Sequence, residues 1–320
     1  MHCVICDPPY FLESIGKRFG KAGAAPAKFG TDGAFRRAGS RFVGKTWDQA
    51  DADGKRISFD PEFWRLVFEI MKPGAYLLAF ASPRTGHRQA TAIEDAGFVI
   101  HPFKGWAYTT GMPKQHPMDK AIMRAGGSEE EAAKWEGWAY GAQTEKPALE
   151  PIYVAQKPFS EKNGVENVRL HSTGAINIGN NRVIGSDGKT YHPANLVHDG
   201  SDSVMNELGD ASKFFHSFEI KPSSTLILNP KATKTDRAGS AHPSVKPVAL
   251  LRYLVRQYVP PGGVILDPFG GSGTTGEAAK QEGHECILIE RDEDYVRDME
   301  QRFSVVAIGE RQHISIDDLL

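Results

Sequence analysis

The chain opens on a short apolar run, Cys3-Val4-Ile5-Cys6, that stops at Asp7 and reads as a buried strand. Beyond residue 60 the apolar positions take a helical period. Phe63, Leu66, Val67 and Ile70 share one face of a helix that Pro61 starts and Lys72-Pro73-Gly74 ends. Tyr76-Leu77-Leu78-Ala79-Phe80-Ala81 is apolar at every position, as a parallel strand buried on both faces requires. A polar helix over 87–96 and a strand at Phe98-Val99-Ile100 follow. The same alternation returns late in the chain. A helix over 248–258 carries Leu251, Leu254, Val255 and Tyr258 on one face. Val264-Ile265-Leu266 reads as a strand, 274–282 as a helix, Cys286-Ile287-Leu288-Ile289 as a strand and 293–303 as a last helix. This alternation predicts an α/β fold around a doubly wound, mostly parallel sheet.

Between 105 and 236 the pattern loosens. Trp106, Trp135 and Trp138 lie among Gly, Asn, His and Lys, and only short apolar runs persist, at 151–155 and 225–228. That predicts a separate, loop-rich lobe inserted between two halves of a core, 1–104 and 237–320. There is no internal repeat of the length that marks a solenoid.

A chain of 320 residues with 40% hydrophobic residues can bury a sizeable core. No stretch approaches the ~20 apolar residues of a membrane span. The opening residues lack the pattern of a secretory signal, which leads to the expectation of a cytoplasmic protein. Three cysteines agree with a reducing compartment. Cys3 and Cys6 have the spacing of a zinc knuckle, but only Cys286 remains to join them, so both are expected as buried strand residues and no metal is expected. The net charge of −2 is uninformative, yet its distribution is not. Over 14–45 Lys17, Arg18, Lys21, Lys28, Arg36, Arg37, Arg41 and Lys45 face a single acid, Asp32. The bland reading is a solvated loop. Its place directly after Tyr10 favours an arm that meets phosphates.

Three motifs carry chemistry. Asp267-Pro268-Phe269-Gly270-Gly271-Ser272-Gly273-Thr274-Thr275 joins a strand to a helix, and such a glycine turn lets the backbone approach a nucleoside. Glu290 ends the next strand, where a carboxylate can accept ribose hydroxyls. Residues 271–276 formally fit the dinucleotide pattern, but Asp-Pro-Phe would set an acid and a ring where a pyrophosphate belongs. Asp7-Pro8-Pro9-Tyr10 ends the first strand. Its prolines fix the backbone, so that the Asp7 carboxylate and the Pro8 carbonyl form two acceptors suited to an –NH2 group, with Tyr10 as a stacking face. The alternative is a tight proline turn. His242-Pro243-Ser244-Val245-Lys246-Pro247 is either a capped loop or a site where Lys246 meets a ligand carboxylate.

Taken together and in this order, these segments resemble the β-class DNA amino-methyltransferases, with weaker likeness to a phage-associated branch at 148–152 and 177–195. The resemblance implies a Rossmann-like, circularly permuted sheet that uses S-adenosyl-L-methionine, and a base of double-stranded DNA flipped into the pocket. It implies that Asp7, Pro8, Pro9 and Tyr10 are catalytic. Asp267, Pro268, Phe269, Gly271, Ser272, Gly273, Thr274 and Glu290 would surround the cofactor, and Lys246 would meet its carboxylate. Lys17, Arg18, Arg36, Arg37 and Arg41 would contact DNA, and 105–236 would read the target. Asp-Pro-Pro-Tyr favours adenine N6. Cytosine N4, an RNA amino group and a catalytically impaired DNA-binding relative are the alternatives. A bacterial or phage-encoded, nucleoid-associated protein of a restriction-modification setting is expected, with a homodimer left open.

Overall fold

The computed structural model describes residues 1–12, 48, 50, 53–108, 111–184, 188–198, 202–209, 211, 215–217, 232, 234–240, 242 and 244–303. The basic segment with Lys17, Arg18, Arg36, Arg37 and Arg41, and the apolar run at 225–228, lie outside these residues. The strands are β1 (Cys3–Cys6), β2 (Tyr76–Phe80), β3 (Val99–Ala107), β4 (Lys114–Pro117), β5 (Ala139–Gln143), β6 (Leu149–Gln156), β7 (Val183–Ile184), β8 (Thr190–Tyr191), β9 (Leu196–His198), β10 (His216–Ser217), β11 (Val264–Asp267) and β12 (Glu285–Leu288). The α-helices are α1 (Pro61–Ile70), α2 (Gly86–Asp95), α3 (Met118–Arg124), α4 (Glu129–Ala133), α5 (Gly164–His171), α6 (Asp202–Leu208), α7 (Lys234–Arg237), α8 (Val248–Tyr258), α9 (Thr274–Gln281) and α10 (Glu293–Phe303).

One sheet runs in the order β10-β9-β3-β6-β2-β1-β11-β12. Its centre is parallel: β1 pairs with β2 on one side and β11 on the other, and β11 pairs with β12. The fully apolar β1 and β2 are buried along their whole length, and their alternate residues feed two cores. Cys3, Ile5, Tyr76, Leu78 and Phe80 pack towards α8 and α9. Val4, Cys6, Leu77 and Ala79 pack towards Trp64 and Val67 of α1 and Ala92 and Ile93 of α2. Helices therefore cover both faces, the doubly wound arrangement that the alternation predicts. The two thiols of β1 point into opposite cores and stay reduced.

Local chemistry sets the element ends. Pro61 opens α1, and the Asp60 carboxylate caps it by accepting from the Glu62 N–H. Gly74 turns the chain into β2 at φ +80°, and a Cβ there would lie 2.4 Å from the Asn167 Nδ2. Only glycine satisfies both conditions. Asn167 Nδ2 in turn donates to the carbonyls of Pro73 and Thr173.

The sheet crosses the expected boundary at 104/105. β3 runs to Ala107 instead of ending at Ile100, because β6 pairs along it through a run too polar to read as a strand. β6 and β9, both inside 105–236, are strands of the main sheet, so this stretch is not a lobe apart from the core. What stands outside the sheet is smaller: the β4–β5 hairpin with α3 and α4, and the β7–β8 hairpin. Among the described residues no helix is long and apolar enough to cross a membrane.

Trp64 anchors one of the two cores. Its ring is fully buried, and its indole N–H donates to the Ser58 carbonyl at 3.0 Å. Trp64→Ala should lower the unfolding free energy by about 3–5 kcal/mol in a denaturant titration. A loss under about 1 kcal/mol would contradict this packing.

Candidate active site

In sheets of this kind ligands bind beyond the carboxyl ends of the strands. β1 and β11 are neighbours in register, Cys3 against Ile265 and Val4 against Leu266, so the segments that follow them open side by side. They line a cavity of about 870 Å³, within the ~300–1,000 Å³ usual for small-molecule sites. β6 runs antiparallel to β2 and β3, which brings its first residues to this same edge. Glu150 reaches the cavity that way.

The loop after β1 is braced on several sides. The Ser58 hydroxyl donates to the Pro9 carbonyl at 2.7 Å and the Thr85 hydroxyl to the Tyr10 carbonyl at 2.9 Å. Phe11 takes a left-handed φ of 50°, and its N–H donates to Asp48 at 2.7 Å. A non-glycine residue there is strained and needs such support. Pro8 is buried, and among the described residues no donor reaches its carbonyl. Pro8 is among the residues that line the cavity.

Behind the loop lies a charge cluster. The Lys246 ammonium is 2.5 Å from Asp7 Oδ2 and 3.0 Å from Glu150 Oε1. The Tyr10 hydroxyl is 2.8 Å from Asp7 Oδ1 and also in contact with Glu150 Oε1. A phenol has one proton to donate, so it serves one carboxylate at a time. Lys246 also donates to the Tyr10 oxygen at 3.3 Å. Burial pulls the Lys246 pKa down, but Asp7 and Glu150 outweigh it and hold the ammonium above its usual value. Burial, with the same two carboxylates, drives the Tyr10 phenol well above its ordinary range, so it stays neutral.

The turn after β11 forms the other wall. Glu290 accepts from the Gly271 N–H and the Asp292 N–H, each at 2.8 Å, one on each oxygen. Gly271 sits at φ +51°, and a Cβ there would meet the His242 Nε2 at 3.2 Å. His242 packs against Tyr295 with ring centres 4.4 Å apart. Burial first, then Lys246 and Arg237, push its pKa down to about 4, so the ring is neutral at pH 7. The Ser244 N–H donates to Nδ1, which leaves Nε2 as the protonated nitrogen beside the glycine turn.

The structure brings Asp7, Pro8, Pro9, Tyr10, Lys246, Asp267, Pro268, Phe269, Gly271, Ser272, Thr274 and Glu290 around the one cavity. Two of these, Lys246 and Asp267, and Gly273 outside that lining make contacts of their own. Lys246 is held by Asp7 and Glu150. Asp267 is 3% exposed and spends its carboxylate on the Thr275 hydroxyl at 2.6 Å and the Phe269 N–H at 2.9 Å, bracing the turn. Gly273, at φ +76°, backs onto Met299 and Phe303 of α10, and Gly270 lines the cavity in its stead. Glu150 and the neutral His242 join the site; the sequence gives His242 only as the first residue of the 242–247 motif and gives Glu150 no role. A lone acid at the head of the apolar run 151–155 was the available signal for Glu150.

Burial pushes Asp267 up to about 7, only partly offset by its two hydrogen bonds. A carboxyl raised in the folded state favours folding below its unfolded pKa and loses that contribution as pH rises through the folded value. Compared with Asp267→Asn, the wild-type melting temperature should therefore fall between about pH 4 and pH 7. A constant difference across that window would contradict the burial.

The DNA methylase family, of N6/N4 type, matches residues 1–301. The type II methyltransferase M.HindIII of Haemophilus influenzae is 25% identical over 304 residues, 91% of this chain and 85% of that one. Among solved structures, the PvuII DNA methyltransferase (cytosine-N4-specific) is 14% identical with a TM-score of 0.47, over 97% of this chain and 81% of that one. The M1.HpyAVI–SAM complex is 19% identical with a TM-score of 0.42, over 77% of this chain and 82% of that one. With a paired proline loop and glycine turn at the edge of the sheet, and a family match that spans both, the chain belongs to the DNA methylase family.

Proposed function

We propose that the protein transfers a methyl group from S-adenosyl-L-methionine to N6 of adenine in double-stranded DNA. One observation carries the reading: Asp7 and Pro8 share a cavity with the glycine turn after β11. Two acceptors on one wall match the two hydrogens of an exocyclic amino group. The opposite wall fits the cofactor. Gly271 leaves room that a Cβ would fill, Glu290 keeps lone pairs beyond its two backbone bonds, and Phe269 offers an apolar surface. Phe269, Gly270, Gly271, Ser272, Thr274 and Glu290 would hold it. The cofactor would supply an electrophilic methyl group: the N–C bond forms as the S–C bond breaks, the electron pair stays on sulfur, and the methylated nitrogen then gives up one proton to solvent.

The chain's own part is positioning and electrostatics. The base reaches this depth by leaving its stack. Asp7 and the Pro8 carbonyl accept from the amino group and fix its orientation, and the Tyr10 ring lies alongside as a flat face. Asp7 then faces the nitrogen as that nitrogen gains positive charge. The adenine assignment rests on the Asp-Pro-Pro-Tyr type of the loop. The order of motifs, catalytic loop before glycine turn, supports a circularly permuted member of the family. The basic segment at 14–45 follows the catalytic loop, where it would meet the DNA backbone.

With labelled S-adenosyl-L-methionine and unmodified genomic DNA, wild-type protein should place label in N6-methyladenine on nucleoside digestion. Asp7→Ala should bind the cofactor but transfer nothing measurable. Label in N4-methylcytosine would move the assignment to cytosine, label in RNA alone would refute a DNA substrate, and an active Asp7→Ala protein would refute the role of Asp7. Neutralising Arg36 and Arg37 together should reduce the slope of log affinity against log salt by about 2. An unchanged slope would remove these two residues from the interface.

A further inference from the structure

The cluster behind the catalytic loop has an unequal charge count. It holds two carboxylates, Asp7 and Glu150, against one ammonium, Lys246. The side chains of Glu150 and Lys246 are 10% and 9% exposed, so their interaction is screened far less than at the surface. Lys246 by itself would be a poor neighbour for methyl transfer to nitrogen. At 2.5 Å from Asp7 it cancels the charge of that carboxylate, and it would repel the cation that forms on the amino nitrogen. Glu150 changes the balance. It takes the same ammonium at 3.0 Å and contacts the Tyr10 hydroxyl as well.

We propose that Glu150 is a positioning residue for the transfer, acting as the counter-charge of Lys246 so that the cluster keeps one net negative charge, carried by Asp7, against the amino group. The inference rests on the methyl-transfer reading above and adds to it a residue outside the proline loop and the glycine turn. The antiparallel run of β6 supplies this placement. That orientation sets its first turn of side chains at the carboxyl edge of β1 and β2, within reach of Asp7.

The same count dictates a pH signature. The groups that face Lys246 are Asp7 and Tyr10 after β1, Tyr108 after β3, Glu150 in β6, and His242 on its own segment. Without Glu150 the ammonium loses one of the two anions that hold it charged. It then sheds its proton at lower pH, and that loss restores the net negative charge on Asp7.

The test is single-turnover transfer of label to unmodified genomic DNA, with cofactor affinity measured alongside. Glu150→Gln should slow transfer by about 10- to 100-fold at neutral pH, with cofactor affinity changed by less than about threefold. Its rate should climb as the pH is raised above neutral, over a range where the wild-type rate stays flat. The double variant Lys246→Met, Glu150→Gln, which removes both charges, should be faster than Glu150→Gln alone. Glu150→Asp should keep more of the rate than Glu150→Gln. The proposal is overturned by a wild-type rate in Glu150→Gln, or by a loss that neither alkaline pH nor the second substitution relieves. It is equally overturned if Glu150→Gln and Glu150→Asp both lose the cofactor, since Glu150 would then hold the fold alone. A wild-type protein that labels no DNA would instead refute the reading of function itself.

Discussion

The contact of Lys246 with Asp7 and Glu150 joins three parts of the chain that lie far apart in sequence: the end of β1, the head of β6 and the segment before α8. Each of these charges leaves water to be there, and desolvation of an ion is expensive unless partners and hydrogen bonds offset it. The cluster meets that condition with Tyr10, whose hydroxyl bridges the two carboxylates. Removing Lys246 leaves the two carboxylates without their counter-charge, at a cost of about 3–5 kcal/mol. The catalytic loop is thus held from behind by electrostatics and from the sides by the hydroxyls of Ser58 and Thr85.

The sheet makes this meeting geometrically necessary. β1 and β11 are parallel and adjacent, so the proline loop and the glycine turn emerge at one edge although most of the chain separates them in sequence. β6 enters from the opposite direction between β2 and β3, and its acid arrives at the same edge. The glycine turn is then shaped from within. Asp267 gathers Thr275 and the Phe269 N–H beneath it, and Glu290 ties Gly271 to the end of β12. Carboxylates that look like ligand groups in the sequence thus divide into two kinds. Asp267 serves the backbone, while Asp7 and Glu290 keep capacity for a ligand.

The parts of this architecture that follow local rules were legible in the sequence. The fully apolar β1 and β2, the amphipathic α1 and α8, and the proline and glycine signals at their ends all declare themselves through periodicity and backbone preference. So does the pairing of Asp7 with the glycine turn, because each follows directly on a strand. What escaped depends on distant partners. The second half of β3 is polar in sequence and becomes a strand only because β6 pairs with it. Lys246 looked free because its two acids lie 239 and 96 residues away, on other elements. Gly273 looked like a cofactor glycine, yet what demands a glycine there is the packing of Met299 and Phe303 behind it.

A cell-level map of modified bases bears most directly on the central claim, since it reports base, position and dependence on Asp7 together. Genomic DNA from cells that express the wild-type chain should carry N6-methyladenine in one defined sequence context, and DNA from cells that express Asp7→Ala should carry none there. Modification that persists in the Asp7→Ala cells, or none in either, would contradict an amino-methyltransfer centred on the loop after β1.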